Sequence, residues 1–273
     1  MSMIKRLFVL SPHFDDAIFS VGGLISLFSS HFEQIYIINV FSATPPLDFE
    51  LPPQASRFHE KFSHDDPVAY RRSLDTIAFN SYNVKILYVD ALDAIYRIHP
   101  LTNKPLYLDP VDIFTKIHAC DFQLISLITS KILSFVCLSP FDLVLSPLSI
   151  GGHVDHEITR LVGEQLAYKQ LLYYEDCPYV FQKTLRNSPN HCRQFLNLLD
   201  VYIPKHDVMK KENAIDVYAS SIPTNDFIQY MRSHDRSQRC IERLFYHQLS
   251  LSNTSKEILS SIPGKLSFNS DNS

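Results

Sequence analysis

Two short clusters in this sequence gather side chains that bind cations or move protons. The first is Ser11-Pro12-His13-Phe14-Asp15-Asp16. Adjacent carboxylates repel one another, so placing two beside an imidazole is costly unless a cation or a proton is shared among them. The plainer alternative has Asp15 or Asp16 capping the following helix, with His13 on a surface loop. The second cluster is Gly151-Gly152-His153-Val154-Asp155-His156. His153 and His156 are three residues apart and can lie near one another at the start of a helix. Neutral imidazole is a zinc ligand, and a neighbouring aspartate such as Asp155 can fix a tautomer from behind. The chain has 12 histidines, so this second cluster taken alone also reads as a polar helix start. Taken together, the clusters supply a His/Asp/His donor set with positions left open, which is the composition of a catalytic metal site rather than a closed structural one.

The elements that must position these groups follow from hydrophobic patterning. Arg6–Leu10 is a short apolar run ending at Ser-Pro, as in a strand buried on both faces. Residues 16–29 read as a helix, with Gly22 and Gly23 small enough for close packing on a sheet. Further strands are expected at 35–41, 84–89, 142–145, 171–174 and 198–203, with 241–247 as a final edge strand. Helices are expected at 67–79, 110–136, 154–169 and 207–219, the first opened by Pro67. Residues 42–66 and 90–109 read as long connections. Alternating strands and helices predict one α/β domain over residues 1–250, a Rossmann-like, mostly parallel sheet with helices on both faces, followed by a loose Ser/Asn-rich tail at 251–273. Such sheets bind ligands at the carboxyl ends of their strands, where both clusters fall. Neither G-x-G-x-x-G nor G-x-x-x-x-G-K-[ST] follows the first strand, which argues against dinucleotide and P-loop nucleotide binding.

The segment SPHFDDAIFSVGG resembles the P-H-P-D-D-E signature of the PIG-L/LmbE family of zinc-dependent N-deacetylases, and GGHVDHEITR resembles that family's H-P-D-H. Weaker echoes are Arg71-Arg72 and KKENAIDVYASS at 210–221, so the resemblance spans roughly residues 5–221. It implies Zn2+ held by His13, Asp16 and His156, with Asp15 as general base. It further implies His153 as acid or electrostatic stabiliser, oriented by Asp155, and Arg71 or Arg72 and Asp93 as substrate contacts. The implied reaction removes an N-acyl group from an amino sugar or its conjugate. Phe14, Ala17, Leu74 and Ile150 depart from the family pattern. Leu74 puts part of the substrate pocket in question, and Ile150 leaves the place of an oxyanion-binding tyrosine to another group.

Competing readings remain at this stage. A larger amide or thiol conjugate is an alternative substrate. His13-x-Asp15 with a distant histidine also fits a 2-His-1-carboxylate iron oxygenase on an all-β scaffold, and ligand type alone leaves iron open as the metal. A non-catalytic sugar- or nucleotide-binding module on the same fold is a third. Asp176 or Tyr179, after the strand at 171–174, reads as a substrate contact or as a structural turn. His64-Asp65-Asp66 reads as a helix cap, His191 and His234-Asp235 as solvated loop residues, and Cys177 as a passive thiol. The tyrosine, aspartate and histidine content of the two long connections suits a pocket rim that grips hydroxyl groups.

Composition excludes other classes. A net charge of −4 without a Lys/Arg run offers no grip on nucleic acid. No stretch approaches the roughly 18 apolar residues of a membrane span, and the apolar run near the N-terminus is too short for a signal-peptide core. The five cysteines lack CxxC spacing, so reduced thiols and a cytoplasmic location are expected; a homo-oligomer is left open.

Overall fold

The computed structural model describes residues 6–62, 64, 66–167, 170–182, 196–219, 241–247 and 267–269. Its strands are β1 (Arg6–Ser11), β2 (Gln34–Asn39), β3 (Val84–Tyr88), β4 (Leu143–Pro147), β5 (Leu171–Tyr174), β6 (Asn197–Tyr202), β7 (Ile241–Tyr246) and β8 (Ser267–Asn269). The helices are α1 (Asp16–Phe28), α2 (Pro53–Glu60), α3 (Pro67–Ala78), α4 (Phe122–Phe135), α5 (Val154–Ala167) and α6 (Lys205–Ala219). Among the described residues the strands form one sheet in the order β3-β2-β1-β4-β5-β7-β6-β8. The five from β3 to β5 are parallel, and β7, β6 and β8 complete the sheet by antiparallel pairing. The expected α/β fold with a mostly parallel sheet is present, and the all-β scaffold of the oxygenase reading is absent.

β1 is buried from Leu7 to Ser11 because helices flank the sheet, α1, α3 and α6 packing as one group and α4 with α5 as another. That double burial is why β1 reads as an unbroken apolar run rather than an alternating one. The chain winds from β1 outward to β2 and β3, then returns to β4 on the other side of β1. The carboxyl ends of β1 and β4 are therefore neighbours at the point where winding reverses, a crevice by construction.

α1 is not continuous. Val21 leaves helical geometry at φ −136° and ψ 22°, and the amides of Gly23 and Leu24 donate to the Glu242 carboxylate at 3.0 and 2.7 Å. Lys211 of α6 neutralises that carboxylate at 2.9 Å. Glycine is required at position 23 because a Cβ there would stand 2.7 Å from Ile203 Cγ2 and 3.0 Å from Glu242 Oε1.

The structure departs from the sequence expectations in four places. Residues 42–66 contain α2, which opens at Pro52-Pro53, where a missing amide costs nothing, and carries too few apolar residues to show a core-facing stripe. Within 110–136 only α4 is α-helical; before it, short 3-10 turns at Asp112–Phe114 and Ala119–Asp121 stand where Asp112 and His118 side chains accept nearby backbone amides and compete with helix formation. β7 is not an edge strand but lies between β5 and β6. Of the tail expected to be loose, residues 251–266 and 270–273 lie outside the described residues, whereas Ser267–Asn269 pairs with β6 at the sheet edge. His191, His234 and Asp235 also lie outside the described residues.

Candidate metal centre and its cavity

Both clusters leave their strands at the same edge of the sheet. Asp15 stands at the N-cap position of α1 without accepting a helix amide, so the capping reading of the first cluster does not hold. Asp16 Oδ2 turns back and accepts the His13 amide at 2.8 Å, which locks the loop. The same oxygen lies 3.1 Å from His13 Nδ1 and 3.3 Å from His156 Nε2. Ligand atoms of His13, Asp16 and His156 all fall within 4.8 Å of one another. Ligands bonded at about 2.0–2.1 Å to a tetrahedral zinc stand roughly 3.3 Å apart, so this spacing suits one shared ion. His156 Nε2 is buried and makes no hydrogen bond, so its lone pair is available to a cation.

The remaining nitrogen of each histidine is tied to a carboxylate. His13 Nε2 lies 3.1 Å from Asp155 Oδ2, and His156 Nδ1 lies 2.6 Å from Asp176 Oδ1. Placing the ring protons on those bonds leaves His13 Nδ1 and His156 Nε2 as lone-pair donors facing one point. Burial alone would lower the His13 pKa, but Asp93, Asp155 and Asp16 outweigh it and hold it well above the ordinary value. Burial likewise opposes, and Asp16 and Asp176 overcome, in raising His156 to about 9. Asp16, though buried, is held well below the ordinary carboxylate range by His156 and His13. These carboxylates favour positive charge at this point, whether as ring protons or as a bound cation.

Asp155 does not orient His153 through its side chain, as expected, but His13. Its carboxylate also accepts the Ala94 amide at 3.0 Å and forms an ion pair with Arg97 Nη2 at 2.7 Å. Arg97 in turn pairs with Asp121 at 3.0 Å. The link from Asp155 to His153 is its backbone amide, which donates to His153 Nδ1 at 3.2 Å. His153 is therefore protonated on Nε2 when neutral, and burial, opposed by Asp155 but aided by His13 and His156, lowers its pKa well below 6.5. Arg97 carries no motif; only its position in a long polar connection hinted at a role.

Asp176 is fully buried and does not reach the cavity, contrary to its expected role as a substrate contact. It holds His156 through Oδ1 and the Ile150 amide through Oδ2 at 2.8 Å. The loop it pins carries positive φ at Ser149 (61°), Gly151 (95°) and Gly152 (70°). Gly151 also lets Tyr179 approach, since a Cβ would meet that side chain at 2.9 Å. Tyr179 packs 5.3 Å from the His156 ring and lines the cavity.

A cavity of about 630 Å³ opens over this cluster, with His13, Asp15, Asp16, Asp93 and His153 at its floor. Asp15 is not part of the convergent set; it is held by Arg71 Nη2 at 3.4 Å. Asp93 Oδ2 lies 3.4 Å from His13 Nε2. The arginine pair divides: Arg71 enters the cavity, whereas Arg72 faces outward, bonded to Asp90 and the Ser42 carbonyl and lying over Tyr88. Leu74 is a core residue, and the buried acid of that helix is the next one, Asp75. Asp66 caps α3 through the Ala69 amide, as expected of the His64-Asp65-Asp66 segment; Asp65 lies outside the described residues. Cys177 is buried, and its amide donates to Ser20 Oγ at 3.1 Å. The rim expected to offer tyrosine, aspartate and histidine instead presents Phe58, Phe62, Ile95 and Ile113 with Arg57 and Lys61.

Comparison with solved structures gives neighbours over almost the whole chain. A deacetylase of the teicoplanin biosynthesis pathway shares 26% identity at a TM-score of 0.72, covering 88% of this chain and 97% of that one. A zinc-inhibited form of teicoplanin deacetylase shares 24% identity at a TM-score of 0.71 over the same shares. The N,N'-diacetylchitobiose deacetylase from Pyrococcus horikoshii shares 15% identity at a TM-score of 0.52, covering 90% of this chain and 84% of that one. No protein-family model and no curated protein matches the sequence. Among the described residues no helix is long and apolar enough to cross a membrane.

Proposed function

We propose that the protein is a zinc-dependent hydrolase that removes an acyl group from the nitrogen of an amino sugar or amino-sugar conjugate. The observation that carries this reading is the convergence of His13, Asp16 and His156 on one point of the cavity floor, with Asp15 beside that set and outside it. The likeness to a deacetylase of the teicoplanin biosynthesis pathway supports the reaction type. Zinc held there by His13, Asp16 and His156 would supply the Lewis acidity that polarises an acyl carbonyl and makes water nucleophilic at neutral pH.

The chain's own residues do the rest. Asp15, held in place by Arg71, accepts a proton from the water as its oxygen bonds to the acyl carbon. His153, neutral with its proton on Nε2, donates a hydrogen bond to the carbonyl oxygen as that oxygen gains charge. The C–N bond then breaks, and the proton carried by Asp15 passes to the departing amine. Tyr179 is a second donor on the same wall and a candidate for the role left open at Ile150. A carboxylate placed beside, yet outside, the ligand set favours catalysis over a pure binding module.

The metal-loaded protein is expected to release free amine from N-acetylated sugars and their conjugates, read with an amine-reactive fluorophore. Release from N-acetyl peptides only, or from no N-acyl compound, would contradict this function.

A further inference from the structure

α2 runs along the cavity rather than along the core. Gln54, Arg57 and Phe58 of α2, with Lys61 and Phe62 in the turn that closes it, fall at i, i+3, i+4, i+7 and i+8, the spacing of one helical face, and all five line the cavity. In a helix serving only the core this stripe would be aliphatic. Here it pairs half-buried aromatic rings with two exposed cations that form no ion pair among the described residues. The helix is fastened, because His59 Nε2 lies 2.8 Å from the Tyr96 hydroxyl, in the turn that follows Asp93. A continuous path leads outward from the floor: Asp15 to Arg71 at 3.4 Å, the Arg71 guanidinium over the Phe58 ring at 5.7 Å, and Phe58 to Phe62 at 4.8 Å between ring centres. Ile95, Ile113 and Pro110 continue the apolar wall. Apart from Gln54 and Gln182, this outer half presents apolar side chains and cations rather than neutral hydrogen-bond partners for sugar hydroxyls; flat apolar groups and anions are what it suits.

We infer that the substrate is an N-acyl amino-sugar conjugate whose aglycone is a flat apolar group bearing an anion, with Phe58 and Phe62 taking the ring and Arg57 and Lys61 the charge. This rests on the proposed deacylation and names the class of compound on which it acts. The volume agrees: about 630 Å³ exceeds what one monosaccharide fills and lies within the range of sites for larger ligands.

The test compares kcat/KM for amine release from the methyl, phenyl and 4-carboxyphenyl glycosides of N-acetylglucosamine by the metal-loaded wild type. In parallel, calorimetry measures binding of the corresponding deacetylated glycosides. The expected order is 4-carboxyphenyl above phenyl above methyl, with the carboxylate contributing about five- to ten-fold and less at high salt. In Arg57→Glu/Lys61→Glu, and in the milder Arg57→Gln/Lys61→Gln, the ratio of 4-carboxyphenyl to phenyl is expected to fall to one or below. In Phe58→Ala the ratio of phenyl to methyl should fall. Equal kcat/KM for all three glycosides would overturn the substrate class and leave deacylation standing. Absence of amine release with the binding order preserved would overturn deacylation and leave the ligand class. Failure of both would remove both.

Discussion

His13 shows how one side chain is divided between structure and chemistry. Its Nδ1 faces Asp16 and its Nε2 faces Asp155, and Asp155 is itself fixed by Arg97 and the Ala94 amide. The ring's tautomer is thus set two residues away from the ion it would hold, so Arg97 would act on such an ion without touching it. Arg97→Met keeps length and apolar packing while releasing Asp155. Zinc affinity, measured by competition with a chelator, is expected to fall about 10–100-fold, as for lost partners of ligating histidines. Unchanged affinity would show that Arg97 only fills space. The convergence of His13, Asp16 and His156 was legible in the sequence because side chains on neighbouring strand tips need only short motifs to be noticed. The supports were not: Arg97, Asp121 and Asp176 are joined to the site only by folding, and Asp176, which follows a strand at the correct end, reads in the sequence as a substrate contact or a structural turn.

Elements meet beneath this loop at a buried carboxyl. Asp75 of α3 lies 2.8 Å from Asn39 Nδ2 of β2 and 3.0 Å from the Tyr88 hydroxyl of β3, both on Oδ2. The Tyr218 hydroxyl of α6 stands 3.0 Å from both Asp75 Oδ1 and the Phe14 carbonyl. One hydroxyl proton cannot serve two acceptors, and a protonated Asp75 resolves the count by donating to Tyr218, which then donates to Phe14. Burial, against the hydrogen bonds of Tyr218, Tyr88 and Asn39, raises the Asp75 pKa to about 7. A raised folded-state pKa contributes stability that is fully present below the unfolded value and lost as pH rises through the folded one. Asp75→Asn mimics the protonated acid and does not titrate. Its stability relative to wild type is therefore expected to improve by about 4 kcal/mol between roughly pH 4 and pH 7 and to level off above that in urea unfolding. A difference that stays flat with pH would refute the protonated assignment. The echo at 210–221 had marked Tyr218 and Lys211, but which neighbours they join was hidden, since Asn39, Asp75, Tyr88 and Glu242 are far apart in sequence. α2 escaped notice for a related reason: its regular stripe faces a cavity, and apolar periodicity reports only helices that face a core.

For the whole molecule, the decisive fact is that β1 and β4 are adjacent although about 130 residues separate them, so two loops distant in sequence close over one point. Strand alternation made the sheet legible; the antiparallel completion by β7, β6 and β8 was not, because a short apolar run carries no record of its partner's direction. The central claim is that these loops form one metal centre in which neighbouring aspartates have different tasks. It is tested most directly by measuring zinc per chain and amine release for Asp15→Asn and Asp16→Asn side by side. Asp15→Asn should keep its zinc while turnover falls roughly 10²–10⁴-fold. Asp16→Asn should lose zinc affinity and regain part of its activity when zinc is added. Loss of zinc in Asp15→Asn with retention in Asp16→Asn would invert the assignment, and full activity with full zinc in both would contradict it outright.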